Sequence, residues 1–212
     1  MGTIKKGLIG GFSGQVGPVI GSSWKGIPYM KTKPEKVANP KTQGQLDHRG
    51  KFVTTIRFLR PMKAFLHVSF SEMAIKKTAY NAAMSYNYHH AVTGSYPDFN
   101  MDYSRVIVSQ GSLAGVINPQ VIATAGQINF SWQNNADNME VMDSDKVLLL
   151  IYNATRQETV FLVGGNTRDS GSQSILIPPS FAGEEVHCYI AFQNMEETAA
   201  STSQFVGSIV TY

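Results

Sequence analysis

Several residue groups in this 212-residue chain are of types that could do chemistry. Gly10-Gly11-Phe12-Ser13-Gly14, with Val16-Gly17 after it, is rich enough in glycine to cradle a phosphate on backbone N–H groups. The spacing does not support that use. Gly11, Gly14 and Gly17 miss the dinucleotide fingerprint, no Gly-Lys-Ser/Thr closes a loop, and no strong strand leads in. Ser13 and Ser22 lack the Gly-x-Ser-x-Gly elbow of an activated serine. His48, His67, His89 and His90 are possible metal ligands. Adjacent histidines point to different faces of a helix, though, and no cysteine or carboxylate stands at ligand spacing. Asp98 and Asp102 are four apart and could bind Ca²⁺ or act as acid and base, but the rest of a calcium loop is missing. Cys188 lies in the alternating run Glu185–Phe192 and reads as a small core hydrophobe; a single cysteine also excludes an internal disulfide. No catalytic, metal or cofactor residue is assigned, no cofactor is expected, and the chain reads as a non-enzyme.

Composition points toward contact rather than reaction. Charged residues make up only 16%, while the chain carries 11 Phe, 9 Tyr and 19 Gly. Little charge with many aromatics fits a surface that is covered in use, and it fits a tight β-protein equally well. The net charge of +3 conceals a split. Residues 1–91 hold 14 Lys/Arg against 3 Asp/Glu, a net +11, and residues 92–212 hold 4 against 12, a net −8. Such a dipole suits a basic face on nucleic acid or membrane, or head-to-tail contact between copies. The acidic half would be repelled by phosphate, which favours the copies. Lys5-Lys6 followed by the apolar stretch from Leu8 to Ile20 imitates a signal peptide, but Gly, Ser, Gln and Pro18 interrupt it. No stretch reaches the length of a membrane helix. Membrane insertion is not expected, and the location stays open between cytoplasm, virion and export.

The elements that carry these residues begin with a glycine-punctuated ribbon. Between Ile4 and Met30 the apolar residues alternate with Gly, Ser and Lys, and seven glycines at about 1 kcal/mol each exclude a helix. Two or three short strands are expected, with Gly at turns and bulges. Gly10, Gly11, Phe12, Gly14, Val16, Gly17, Trp24 and Tyr29 are its candidate interaction residues. Pro34 and Pro40 keep the following basic strip extended, and Thr42 is placed to cap a helix over residues 43–60. Leu46, Val53, Ile56 and Leu59 form its expected apolar face, with Gly50 on the same side and Lys51, Arg57 and Arg60 basic. Pro61 starts a second helix through Met73, and a third covers residues 78–91. The turn-rich Thr93–Tyr103 reads as a linker where the charge changes sign.

Beyond it the period falls to two, over seven candidate strands: 105–110, 127–133, 146–153, 158–163, 174–177, 186–193 and 204–211. Seven short strands over about a hundred residues suit an immunoglobulin-like sandwich. Ile128–Gln133, Val147–Tyr152, and Leu176-Ile177-Pro178 with Val186–Phe192 resemble the fibronectin type III pattern. That resemblance implies fold, not function.

A second resemblance spans nearly the whole chain. Gly10–Gly14, Ser23-Trp24-Lys25-Gly26, Asn39-Pro40-x-Thr42-x-x-Gln45-x-x-x-Arg49-x-x-Phe52, Tyr80–Asn87 and Thr93–Phe99 are similar to an uncharacterised bacterial domain family. Its Asn39–Arg49 segment also resembles small phage structural proteins. Asn39, Pro40, Thr42, Gln45, Arg49 and Phe52 are the candidate structural motif, with Arg49 suited to donating to ribbon carbonyls. The expected class is α+β: ribbon 1–38, helices 39–92 packed with it, linker 93–104, and an antiparallel sandwich 105–212. The expected function is a non-enzymatic self-assembling subunit of a virion, filament or surface layer. It would form homo-oligomers or polymers by adding ribbon strands to a neighbour, alongside other virion or surface proteins. The alternatives are an adhesion module offering sandwich loops to glycan or protein, and a nucleic-acid binder using Lys31, Lys33, Lys36, Lys41, Arg49, Lys51, Arg57 and Arg60.

Overall fold

An open antiparallel sheet comes first along the chain. It contains β1 (Thr3–Ile4), β2 (Phe12–Val16), β3 (Val19–Trp24) and β4 (Ile27–Thr32), each paired with the next. Gly17 (φ +56°) and Gly26 (φ +84°) take left-handed backbone at the two turns, which a side chain would resist. The computed structural model describes residues 2–4, 10–24, 26–36, 39–136 and 142–212. The Lys5-Lys6 pair, the apolar start at Leu8, Lys25 of the Trp-Lys-Gly motif, Val37, Ala38 and Asp137 lie outside them. The chain divides into two compact units, Met1–Thr42 and Gln43–Tyr212.

The second unit opens with α1 (Gln43–Leu59), a tight turn at Arg60–Met62, α2 (Lys63–Ser69) and α3 (Ala79–His90). Thr78 caps α3 by accepting from the Asn81 N–H at 3.1 Å. The helix expected to reach Met73 stops at Ser69, and the chain continues as successive turns through Ala74. α1 buries Thr55, Phe58 and Leu59, whereas Val53 is half exposed. Its core face is therefore rotated from the one the apolar spacing suggests. The neighbouring strands decide this: Phe58 meets the edge of Tyr152 at 4.8 Å and also packs on Tyr103.

Residues 93–104 are not a linker. β5 (Val92–Ser95) and β6 (Asp98–Met101) form a hairpin whose Phe99 ring lies against Gly50 of α1. A Cβ at Gly50 would come within 2.6 Å of that ring, so the glycine is what lets hairpin and helix meet. Lys51 Nζ sits 5.8 Å from the same ring centre.

The remaining strands are β7 (Ile117–Thr124), β8 (Gln127–Gln133), β9 (Lys146–Asn153), β10 (Glu158–Leu162), β11 (Ser172–Leu176), β12 (Glu185–Gln193) and β13 (Gln204–Val210). They make two antiparallel sheets, β11-β8-β7 and β10-β9-β12-β13, the facing layers of an immunoglobulin-like sandwich. Val147, Leu149 and Ile151 of β9 and Val186, Cys188, Ile190 and Phe192 of β12 point into the space between the sheets. The alternate residues Leu148, Leu150, Tyr152, Tyr189 and Ala191 point the other way, into one core with Phe58, Leu59, Met62, Phe65 and Leu66 of the helical layer. The four-stranded sheet is thus covered on both faces. Helices and sandwich are one three-layer unit, not the two domains expected from the change of period, because the outer face of β9–β12 is itself apolar.

Residues 105–110 differ too. Val106, Ile107 and Val108 are buried, yet they form no strand. Side chains satisfy the backbone instead. Asn87 accepts from the Ile107 N–H at 3.1 Å and donates to its carbonyl at 2.9 Å. Ser203 Oγ accepts from the Val108 and Ser109 N–H groups, and Ser69 Oγ donates to the Val108 carbonyl at 2.6 Å. Helix, crossover and sheet are stitched at this point. The sandwich strand absent from the expectation is β7, which carries Pro119 and a register shift between Ile117 and Gln120 and sits at a sheet edge, where proline is tolerated.

Asn87→Leu strands a buried donor and a buried acceptor on Ile107, and we expect a loss of roughly 2–4 kcal/mol in urea unfolding. His187 is buried, stacks on Tyr103 at 3.7 Å and hydrogen-bonds Ser208 Oγ at 2.7 Å. Burial lowers its pKa below 6.5, and the Glu185 charge offsets part of that. The unfolded chain then protonates first as pH falls, so stability drops from about pH 6.5 downward and levels off below the folded pKa. His187→Phe should flatten that part of the pH–stability curve; an equal slope in both proteins would contradict the assignment.

Candidate interaction surfaces

The ribbon residues fall on two faces of the first sheet. Pairing of Gln15 with Ile20, Ile20 with Lys31, Ser22 with Tyr29 and Trp24 with Ile27 puts these residues on one side. Trp24 and Ile27, directly opposite one another, are 64% and 65% exposed, and Tyr29 beside them is 42% exposed. The other side carries Phe12, Val16, Val19 and Met30, arranged around Gly14, which pairs with Gly21. Phe12 is half-buried because its ring lies across Gly21; a Cβ there would overlap both the ring and the Phe12 carbonyl. Gly11 is packed as tightly against Pro28. Gly10 stands at a bend before β2, and Val16 is exposed at its end. Among the described residues, neither apolar core cluster takes a member from this sheet. Every residue of the edge strand β4 is exposed.

The motif residues separate along the chain. Asn39, Pro40 and Thr42 are exposed and precede α1. Gln45 and Arg49 are exposed on α1 itself, one turn apart. Phe52 is half exposed and lines a shallow cleft of about 260 Å³ with Met84 and Tyr88 of α3. Beside it Tyr88 Oη and His48 Nδ1 are 2.6 Å apart, and His90 stacks on Tyr86 at 4.4 Å. His48, His89 and His90 thus join a polar aromatic rim, whereas His67 lies apart on α2. No group of three His, Cys, Asp or Glu suited to a metal occurs among the described residues. Asp102 closes a local turn, accepting from Ser104 N and Oγ and pairing with Arg105 at 3.3 Å. The Ser104 hydroxyl bond is the main reason its pKa is lowered.

Three larger clefts follow one another, two along α1 and the third along α2. The first, about 640 Å³, lies between α1 and the β5–β6 hairpin and holds Arg49, Val53 and Arg57. The second, about 730 Å³, shares Val53 and Arg57 and adds Ile56 and Arg60. The third, about 960 Å³, shares Arg60 and adds Lys63 and His67 against the start of α3. Asp98 lines the first and Glu158 the second, whereas no carboxylate lines the third. Burial raises the pKa of Tyr80 in the third cleft, and Arg60 partly offsets the rise. Of the expected basic residues, Arg49, Arg57 and Arg60 share this groove, and Lys51 turns to Phe99 instead.

Sequence reasoning missed Arg168, which is fully buried. Its guanidinium bonds Asp145 at 3.1 Å, Asn135 at 2.6 Å and the carbonyls of Ala114 and Gly115, and lies 3.8 Å from the Phe192 ring centre. It pins one end of the sandwich. Nothing in Thr167-Arg168-Asp169 distinguishes it from a solvated turn arginine.

Most of the segments described above fall within one sequence pattern. The chain belongs to a family of unknown function, DUF6266, whose pattern matches residues 11–207. The match takes in β2–β4, the helices and the sandwich together, so it reaches into both compact units rather than the sandwich alone. Among solved structures, the chain is similar to the solution structure of the fn3 domain of human contactin 1, at 9% identity and a TM-score of 0.33 over 49% of this chain and 83% of that one. No curated protein matches. No helix among the described residues is long and apolar enough to cross a membrane.

Gly21→Val should disturb the first sheet alone, through an overpacking cost of about 1–3 kcal/mol. Amide exchange within residues 12–32 is expected to speed up while the urea transition of residues 43–212 stays in place. An unchanged exchange pattern would show that the Phe12–Gly21 contact does not hold the sheet.

Proposed function

We propose that this DUF6266 chain is a non-enzymatic structural subunit that assembles with copies of itself through its N-terminal sheet. The observation that carries the reading is the cluster of Trp24, Ile27 and Tyr29, an exposed apolar and aromatic surface that β3 and the exposed edge strand β4 share. Covering each large side chain contributes about 1.5–3 kcal/mol, so three of them meeting an equivalent patch form the centre of an interface. The edge adds direction. Pro28 has no N–H to offer on the open edge, so an incoming strand would pair along Tyr29–Thr32, through the outward-facing N–H groups of Met30 and Thr32. The charge split between the two halves of the chain gives such an assembly a preferred polarity. A virion, filament or surface layer is the setting this chemistry suits.

Trp24→Ser with Ile27→Ser removes the apolar centre without touching either core. Light scattering behind size exclusion should find the native chain as oligomers whose mass rises with concentration, and the double variant shifted to the 23.2 kDa monomer. Equal masses for the two proteins would refute the reading.

A further inference from the structure

The third cleft, between α2 and the start of α3, has a complement elsewhere on the same chain. It is walled by Arg60, Lys63 and His67, with Ala64, Ala79 and the Tyr80 ring as apolar surface. Arg60 and Lys63 form no ion pair among the described residues. The turn joining β12 to β13 has the opposite character. Met195 is 56% exposed, and Glu196 and Glu197 are exposed and likewise without an ion pair among the described residues.

That turn is rigid. Asn194 Oδ1 accepts from the N–H groups of Thr198 and Ala199 at 2.9 and 3.0 Å, and its Nδ2 donates to Thr198 Oγ1 at 2.7 Å. The Asn194 N–H donates to the Ala199 carbonyl, and the Glu197 N–H returns to the Asn194 carbonyl. A turn fixed in this way loses little entropy on docking. It presents one apolar side chain flanked by two anions, and the cleft offers apolar surface flanked by cations.

We propose that the cleft receives the Met195–Glu197 turn of a second copy of this chain. The inference rests on the self-assembly reading and adds a second contact, one that sets the order of copies rather than supplying the apolar centre. The match is electrostatic at its rim, so it acts on specificity and on salt dependence.

A charge-swap cycle in the full chain tests it. Arg60→Glu with Lys63→Glu, and separately Glu196→Lys with Glu197→Lys, should each weaken association roughly tenfold in sedimentation velocity, and their combination should return it to within about threefold of the native value. All four positions are exposed, so the fold is retained. Zero-length carbodiimide cross-linking of an equal mixture of light and heavy isotope-labelled protein should join Lys63 to Glu196 or Glu197 in mixed-isotope pairs.

Same-isotope pairs alone, or a combined variant as weak as either swap, would overturn the proposal. Swaps without effect, in a protein that Trp24→Ser/Ile27→Ser does dissociate, would remove this contact and leave self-assembly standing. A native chain that is monomeric at every concentration would remove both. Binding of a single-stranded oligonucleotide that Arg60→Glu/Lys63→Glu abolishes, with assembly unchanged, would give the cleft to nucleic acid and overturn the proposal.

Discussion

The second unit depends on two strands that must be covered on both sides. β9 and β12 pair along eight register positions, and their alternate residues feed two separate apolar clusters. A sheet of this kind is not stable as half of a sandwich, because Leu148, Leu150, Tyr152 and Tyr189 would face water. The helical layer is thus the second cover of the sheet rather than a neighbouring domain. Cys188 follows from the same geometry. It is buried between the sheets, and burial pushes its thiol to about 12, which makes it inert packing.

Covering the sheet with helices fixes what is left outside. α1 commits Thr55, Phe58 and Leu59 to the core, so Arg49, Val53, Arg57 and Arg60 line the groove on its outer side. The crossover stitched by Asn87, Ser69 and Ser203 sets how the helices sit on the strands. The groove is consequently a rigid feature of the unit, and its basic character is local rather than a diffuse property of the first half of the chain. The N-terminal sheet is a different kind of object. Its exposed apolar face and edge take part in neither core, and there the physical argument for association is strongest.

Much of this was legible in the residues. Glycine density excluded a helix before Met30, Pro61 marked the end of α1, and alternation located β8, β12 and β13. The misses share a cause: a partner element outvoted the local pattern. Val53 lost the core face of α1 to Phe58 once Tyr152 and Tyr103 were in place. Val106–Val108 looked like a strand, but side-chain amide and hydroxyl groups took its backbone bonds. Pro119 hid β7. The unbroken apolar run Val147–Tyr152 was the available sign of burial on both faces, since a half-exposed strand alternates. Only the placement of charged partners, as around Arg168, had no sequence signal.

Strand addition at β4 has one direct reading, amide hydrogen exchange followed as a function of protein concentration. The account predicts that the Met30 and Thr32 amides, which face the open edge of the sheet, gain protection as copies associate, while the backbone amides of β9 and β12 are protected at every dilution. Met30 and Thr32 amides that exchange at one fast rate at all concentrations would contradict it.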